Sequence, residues 1–235
     1  MKKMPNQPKE SSLMANYSRS DLAFVRGKGV WLFDKKGKMF LDLAAGIAVN
    51  SLGHSHPRLV KVLVDQGSKL WHTSNLYTVP NQEKLAKVLA KNTFAEKVFF
   101  TNSGAESVEC AIKIARRFFF SKGQSERNRI ISFEGSFHGR TMGTISAAGS
   151  RKLLEGFGPK LPGFDLIKRL SLDSVEKKIS NRTCAILVEP ILGEGGIVTL
   201  SCLFLKGLKD LCKKYNLLLI LDEVQSGVGR SGHFL

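Results

Sequence analysis

The chain has 235 residues, 43% of them hydrophobic, with 36 Lys and Arg against 20 Asp and Glu for a formal net charge of +16. That length and apolar content build a globular core of one large or two small domains. The basic excess raises nucleic acid as a partner, but the pairs Lys2-Lys3, Lys35-Lys36, Arg116-Arg117, Lys177-Lys178 and Lys213-Lys214 fall in separate segments with no aromatic-basic interleaving, so a solvated surface and no nucleic-acid partner are expected.

No run approaches the ~18 apolar residues of a membrane span, and the opening Met-Lys-Lys-Met-Pro-Asn-Gln-Pro-Lys-Glu lacks the apolar stretch of a signal peptide. A cytoplasmic protein without a membrane partner is expected. Cys110, Cys184, Cys202 and Cys212 form no C-x-x-C pair, which speaks against disulfides and a zinc site. His54 and His56 are spaced H-x-H, but Gly53 and Pro57 mark a turn and no carboxylate or cysteine flanks them; no metal is expected.

In chain order, a polar tail to about Ser18 precedes Ala23 to Leu43, where apolar and polar residues alternate around glycine turns and predict a small antiparallel meander. Helical periodicity follows from Pro57 to about Leu70 and from about Gln82 to Lys91. Strand-helix units come next. A strand is expected at Lys97–Thr101, a helix at Ala105–Phe120, strands near Arg129–Phe133, Asp165–Leu170 and Ala185–Val188, a helix at Leu203–Tyr215 and a strand at Leu217–Leu221. Such alternation implies an α/β fold whose sheet is mostly parallel, with helices on its faces. The expected domains are a segment 1–72 (meander plus helix) and a large domain 73–235.

The last strand carries the strongest chemical signal. Its aliphatic run reads as a strand buried on both faces, and it delivers Asp222 to the sheet edge where ligands of parallel sheets bind. One use of a fixed anion there is to keep a proton on a heteroaromatic nitrogen, which makes a pyridinium an electron sink. The rival is dinucleotide binding, because Gly227-Val-Gly229-Arg-Ser-Gly232 matches G-x-G-x-x-G. That motif needs its first glycine directly after the strand and a helix opening on the last. The spacing fits a glycine-rich loop better.

Other expected strand ends carry matching chemistry. Thr101-Asn-Ser103-Gly104-Ala105-Glu106 offers helix N-terminal N–H groups for a phosphate, with Ser103 as cap and Glu106 in the first turn. Phe133-Glu-Gly-Ser-Phe137-His138-Gly139-Arg140-Thr141 supplies an aromatic that can cover a planar ring and a guanidinium for a carboxylate. Val188-Glu189-Pro190-Ile-Leu192-Gly193-Glu194-Gly-Gly196 places two carboxylates in a turn-rich loop.

The motifs Thr-Asn-Ser-Gly-Ala-Glu, Phe-His-Gly-Arg-Thr, Val-Glu-Pro-Ile-x-Gly-Glu-Gly-Gly and Leu-Asp-Glu-Val-Gln-x-Gly-x-Gly-Arg resemble those of the class III aminotransferases. Gly46-Ile-Ala-Val-Asn-Ser-Leu-Gly-His54-Ser-His56-Pro57 and Ser74-Asn75-Leu76-Tyr77 are most similar to the acetylornithine group within that class. The resemblance implies a fold type I pyridoxal-phosphate (PLP) enzyme with the meander in a small domain. It also implies an amino donor, N-acetylornithine, with 2-oxoglutarate as the 2-oxo acid, and a homodimer. Ornithine, succinylornithine or 4-aminobutyrate is the alternative donor. By the same resemblance Ser103, Gly104 and Ala105 hold the phosphate, Phe137 stacks on the pyridine with His138 beside it, and Asp222 pairs with the ring nitrogen, with Glu223 next to it also among the cofactor-binding residues. Val224 presses the other ring face from an extended segment after Asp222 and Glu223, and Gln225 reaches the phenolic oxygen. Arg140 takes the substrate α-carboxylate, and Glu194 resembles the residue that pairs with a later arginine. Two departures stand out: Leu192 sits where the family has Gln, and the Schiff-base lysine of relatives lies beyond the Asp-Glu-Val-Gln segment. The chain is accordingly expected to be the amino-terminal part of an aminotransferase, inactive by itself, or a non-catalytic cofactor-binding remnant.

Overall fold

The computed structural model describes residues 11–234. The start of the expected polar tail, including Lys2-Lys3, and Leu235 lie outside the described residues. The chain divides into two compact units, one up to Tyr77 and one from Thr78, five residues beyond the boundary expected at 72/73.

In the first unit the expected meander is present. Strands β1 (Phe24–Lys28), β2 (Trp31–Asp34) and β3 (Met39–Leu41) pair antiparallel in the order β1-β2-β3. The short turn α1 (Ala45–Ala48) has positive φ at all four residues, including the β-branched Ile47, a left-handed conformation that costs L-residues about 1–2 kcal/mol each. Helix α2 (Pro57–Gly67) starts on its proline as expected. His54 of the H-x-H pair has a structural role here: its Nε2 lies 2.7 Å from Asp42 Oδ2, and its backbone exchanges hydrogen bonds with Gly29. Among the described residues no cluster of His, Cys, Asp or Glu could hold a metal ion.

The second unit opens with α3 (Pro80–Asn92) and α4 (Gly104–Ser121), followed by β4 (Arg129–Phe133), α5 (Met142–Ala148), α6 (Arg151–Leu154), β5 (Phe164–Ile167) and α7 (Leu172–Glu176). Then come β6 (Thr183–Val188), the small antiparallel pair β7 (Ile191–Leu192) and β8 (Val198–Thr199), α8 (Cys202–Lys214) and β9 (Leu218–Leu221). A four-stranded sheet runs in the order β5-β4-β6-β9, and every pair in it is parallel. Side-chain alternation along β4 and β6 feeds two cores. Ile131, Phe133, Ile186 and Val188 pack with Val175 of α7 and Leu208 and Leu211 of α8. Ile130, Ala185 and Leu187 pack with Val108, Ile112, Ala115 and Phe119 of α4 and Ala147 of α5. Helices therefore cover both faces, and every residue of β6 is buried. Ser103, Thr141, Ser171 and Ser201 cap α4, α5, α7 and α8 through their hydroxyls. No described helix is long and apolar enough to cross a membrane.

Two strand expectations are corrected. Lys97–Thr101 alternates between exposed and half-buried residues, with Phe99 72% exposed, yet it pairs with no described strand. The pattern reports a one-sided environment; a strand also needs a neighbour to receive its ladder, and none of the described residues supplies one. Likewise β9 is not buried on both faces: it lies at the edge of the sheet, and Leu221 is 37% exposed. The apolar run records the need for cover, which β6 meets from one side only.

Candidate active site

The site is built where β4, β6 and β9 end, against the start of α4. Ser103 Oγ accepts the Glu106 N–H at 3.2 Å, and Glu106 Oε2 accepts the Asn102 N–H at 2.6 Å. With Glu106 satisfied, the Gly104 and Ala105 N–H groups, which have no acceptor inside the helix, face outward from its positive end.

Close approaches of glycines show which loops meet. A Cβ on Gly139 would lie 2.7 Å from Ala105 Cβ, and the φ of +122° there already favours glycine. The Phe137–Thr141 loop thus lies directly on the start of α4. Thr141 Oγ1 also donates to Glu109 Oε1 at 2.5 Å, fastening the loop to the next turn of the helix. A Cβ on Gly104 would meet Val224 Cγ1 at 2.5 Å, and one on Gly193 would run into Gln225 Oε1. The segment after β9 therefore touches both α4 and the loop after β7. Gly195 in turn comes within a Cβ's reach of the Gly135 carbonyl, at 2.9 Å.

Asp222 lies at the centre, 8% exposed. Its Oδ2 is 2.7 Å from His138 Nδ1, and its Oδ1 accepts the Val224 N–H at 3.1 Å. An ionised Asp222 requires the proton on His138 Nδ1, whose other ring nitrogen, Nε2, is buried without a protein partner. Ser136 Oγ and Ser226 Oγ are buried and unpartnered in the same two loops.

Glu189, at the exit of β6, is 6% exposed and accepts the Phe137 N–H at 2.9 Å. Burial pushes its carboxyl up to about 7, against the pull of the Phe137 N–H, His138 and the Gly193 N–H; Asp222 adds to the rise. Burial also raises Glu223.

Ser103, Gly104, Ala105, Phe137, His138, Asp222, Val224 and Gln225 are thus drawn into one neighbourhood. Arg140 and Glu194 are exposed on the rims of their loops. One local expectation is corrected: Val224 does not follow Asp222 in extended backbone. The Asp222 carboxylate accepts the N–H two residues on and folds residues 224–230 into turns, as a short acidic side chain at a strand exit commonly does. Val224 reaches its place against Gly104 through that turn. Leu192 in the Gln position is 4% exposed, so packing replaces a polar contact. Glu189 lies inside the Val-Glu-Pro-Ile motif, but neither its bond to the Phe137 N–H nor the Glu109–Thr141 tie is signalled by the sequence.

A parallel sheet with helices on both faces, a capped helix start, and a buried carboxylate with a neighbouring aromatic at the strand ends together define a fold type I PLP transferase. The model of the aminotransferase class-III family matches residues 13–235, and the chain belongs to that family, whose members are PLP-dependent. It is 58% identical over 222 residues to the acetylornithine aminotransferase of Agrobacterium fabrum, covering 94% of this chain and 56% of that protein. It is 52% identical to the acetylornithine aminotransferase of Aquifex aeolicus, covering 94% and 59%. Among solved structures, the ornithine aminotransferase of Toxoplasma gondii superposes with a TM-score of 0.90 at 31% identity, covering 95% of this chain and 54% of that one. The N-acetylornithine aminotransferase of Stenotrophomonas maltophilia gives 0.79 at 39%, covering 93% and 55%. The chain spans about half the length of the curated relatives it matches.

Proposed function

We propose that this chain carries the cofactor-binding part of an acetylornithine aminotransferase that moves the amino group of N-acetylornithine to 2-oxoglutarate, as a cytoplasmic homodimer serving arginine biosynthesis. The observation that carries the reading is the buried Asp222–His138 pair beside the capped start of α4. Acetylornithine is preferred over ornithine because identity reaches 58% with a curated acetylornithine enzyme, and among solved structures it is 39% with the N-acetylornithine enzyme against 31% with the ornithine enzyme.

The residues fit the cofactor. The outward Gly104 and Ala105 N–H groups and the Ser103 hydroxyl suit its phosphate. Phe137 on one side and Val224 on the other suit the faces of a pyridine, and Gln225 suits its phenolic oxygen. Bound PLP supplies an electron sink for the carbanion formed at the amino-bearing carbon. Asp222 holds a proton on the ring nitrogen, and His138 Nδ1–H orients the Asp222 carboxylate. Each Asp222 oxygen accepts one bond already and has a second lone pair for the pyridinium N–H. The fully buried β6, which lies between β4 and β9, keeps water from the pair, which strengthens it. Arg140 binds the α-carboxylate of the donor, and Glu194 pairs with an arginine outside these residues.

The experiment is a chimaera in which residues 1–235 precede the carboxy-terminal part of the Agrobacterium fabrum enzyme. Transamination of N-acetylornithine by 2-oxoglutarate, with ornithine and 4-aminobutyrate much poorer donors, supports the reading. Faster turnover of either of those donors contradicts it.

A further inference from the structure

Among the described residues of the site, Glu189 is the deeply buried carboxylate to which the proposed chemistry gives no task. It is 6% exposed, and among the described residues it forms no ion pair. Its Oε2 takes the backbone N–H of Phe137 at 2.9 Å. Phe137 follows β4, whereas Glu189 follows β6, the neighbouring strand of the sheet. One carboxylate at the end of β6 therefore holds the backbone beneath the aromatic on the next strand exit. A neutral acceptor would grip that N–H less strongly, since bonds to an ionised acceptor are about twice as strong as neutral ones.

We propose that Glu189 is a positioning residue of the cofactor site, whose ionised carboxylate clasps the Phe137 N–H and so holds the ring-covering aromatic in register with the end of β6. The role rests on the cofactor reading above. The titratable groups that face Glu189 are His138 from the loop after β4 and Asp222 from beyond β9. They act in opposite directions, His138 favouring the ionised form and Asp222 opposing it, and burial outweighs both. The clasp consequently tightens as pH rises through about 7. It is a pH-dependent device set behind the ring site, outside the Asp222–His138 pair.

The test uses the 235-residue chain with its phenylalanines labelled with 15N. Without PLP, the Phe137 amide resonance of the wild type is expected to titrate with a midpoint near 7, and to be flat in Glu189→Gln. With PLP, Glu189→Gln is expected to bind about 10-fold more weakly than wild type near pH 8 and within about 2-fold of it near pH 5.5, the difference between a charge-assisted and a neutral clasp. A wild-type Phe137 amide that does not titrate, or equal affinities near pH 8, overturns the clasp and leaves the cofactor reading standing. A titrating amide in a wild-type chain that binds no PLP overturns the cofactor reading and the positioning role with it. Should Glu189→Gln fail to fold, the wild-type titration and the pH dependence of its PLP affinity decide the matter alone.

Discussion

His138 Nδ1 and Asp222 Oδ2 are 2.7 Å apart, with side chains 0% and 4% exposed. The two residues come from different strand exits, 84 positions apart. Their pairing ties the β4 loop to the β9 loop across β6, and it sets the one acceptor in the site that suits a protonated ring nitrogen.

Removing one partner of such a pair leaves a buried charge unsatisfied. His138→Leu is expected to destabilise the second unit by about 3 kcal/mol, read as a lower urea midpoint at unchanged slope. His138→Asn retains an N–H donor, and a loss of about 1 kcal/mol is expected. Equal losses for the two variants would show that ring volume, and not the donated proton, matters at this position.

Gly139 has no room for a side chain. Gly139→Ala places a Cβ 2.7 Å from Ala105 Cβ at a φ of +122°, so backbone strain and a steric clash add. A loss of about 2–3 kcal/mol in denaturant unfolding is expected, together with weaker PLP binding, because the clash pushes the Phe137 loop off the start of α4. Unchanged affinity would separate that loop from the phosphate cradle.

The Glu189 carboxyl is raised from 4.5 to about 7 in the folded chain. A carboxyl raised by folding contributes stability that is present below its unfolded value and is lost as pH rises through the folded one. Stability should therefore fall between about pH 4.5 and 7 by about 2 kcal/mol, discounted for partial solvent screening. Glu189→Gln should remove that slope and be the more stable protein near pH 8, while binding PLP less well. Urea titrations of both proteins across this range check it; a wild type that gains stability from Glu189 over the same range would contradict it.

In the chimaera, Arg140→Ala is expected to raise the apparent KM for N-acetylornithine at least ~10-fold with a smaller change in kcat, as removal of a carboxylate-binding group does. A drop confined to kcat would move Arg140 from ground-state binding into the chemical step.

The sequence made particular residues legible for particular reasons. Ser103 before a periodic run marks a helix start, and the apolar Ala185–Val188 marks a buried strand, which the structure extends back to Thr183. Asp222 was legible because a lone charge after five aliphatic residues needs a purpose. Helix α5 was not: its Met-Gly-Thr-Ile-Ser-Ala-Ala has weak helix propensity and is held by burial and by the reciprocal Thr141–Thr144 cap. The Thr-x-x-Thr spacing is the signal that could have found it. Lys97–Thr101 showed alternation, but alternation does not say whether a neighbouring strand exists. The Asx turn at Asp222 and the clasp at Glu189 depend on which carboxylate meets which amide across loops, and that is settled only by the packing of β4, β6 and β9.

The central claim is that Asp222 keeps a proton on the cofactor's ring nitrogen. The 15N chemical shift of PLP labelled at that nitrogen, bound to the 235-residue chain near pH 8, reads it directly. A protonated nitrogen is expected in the wild type and an unprotonated one in Asp222→Asn, with affinities within about 10-fold because the phosphate and ring contacts persist. In the chimaera the same substitution should lower kcat at least ~100-fold, since a neutral amide cannot sustain the electron sink. An unprotonated nitrogen in bound wild type, or a protonated one that survives Asp222→Asn, would contradict the account.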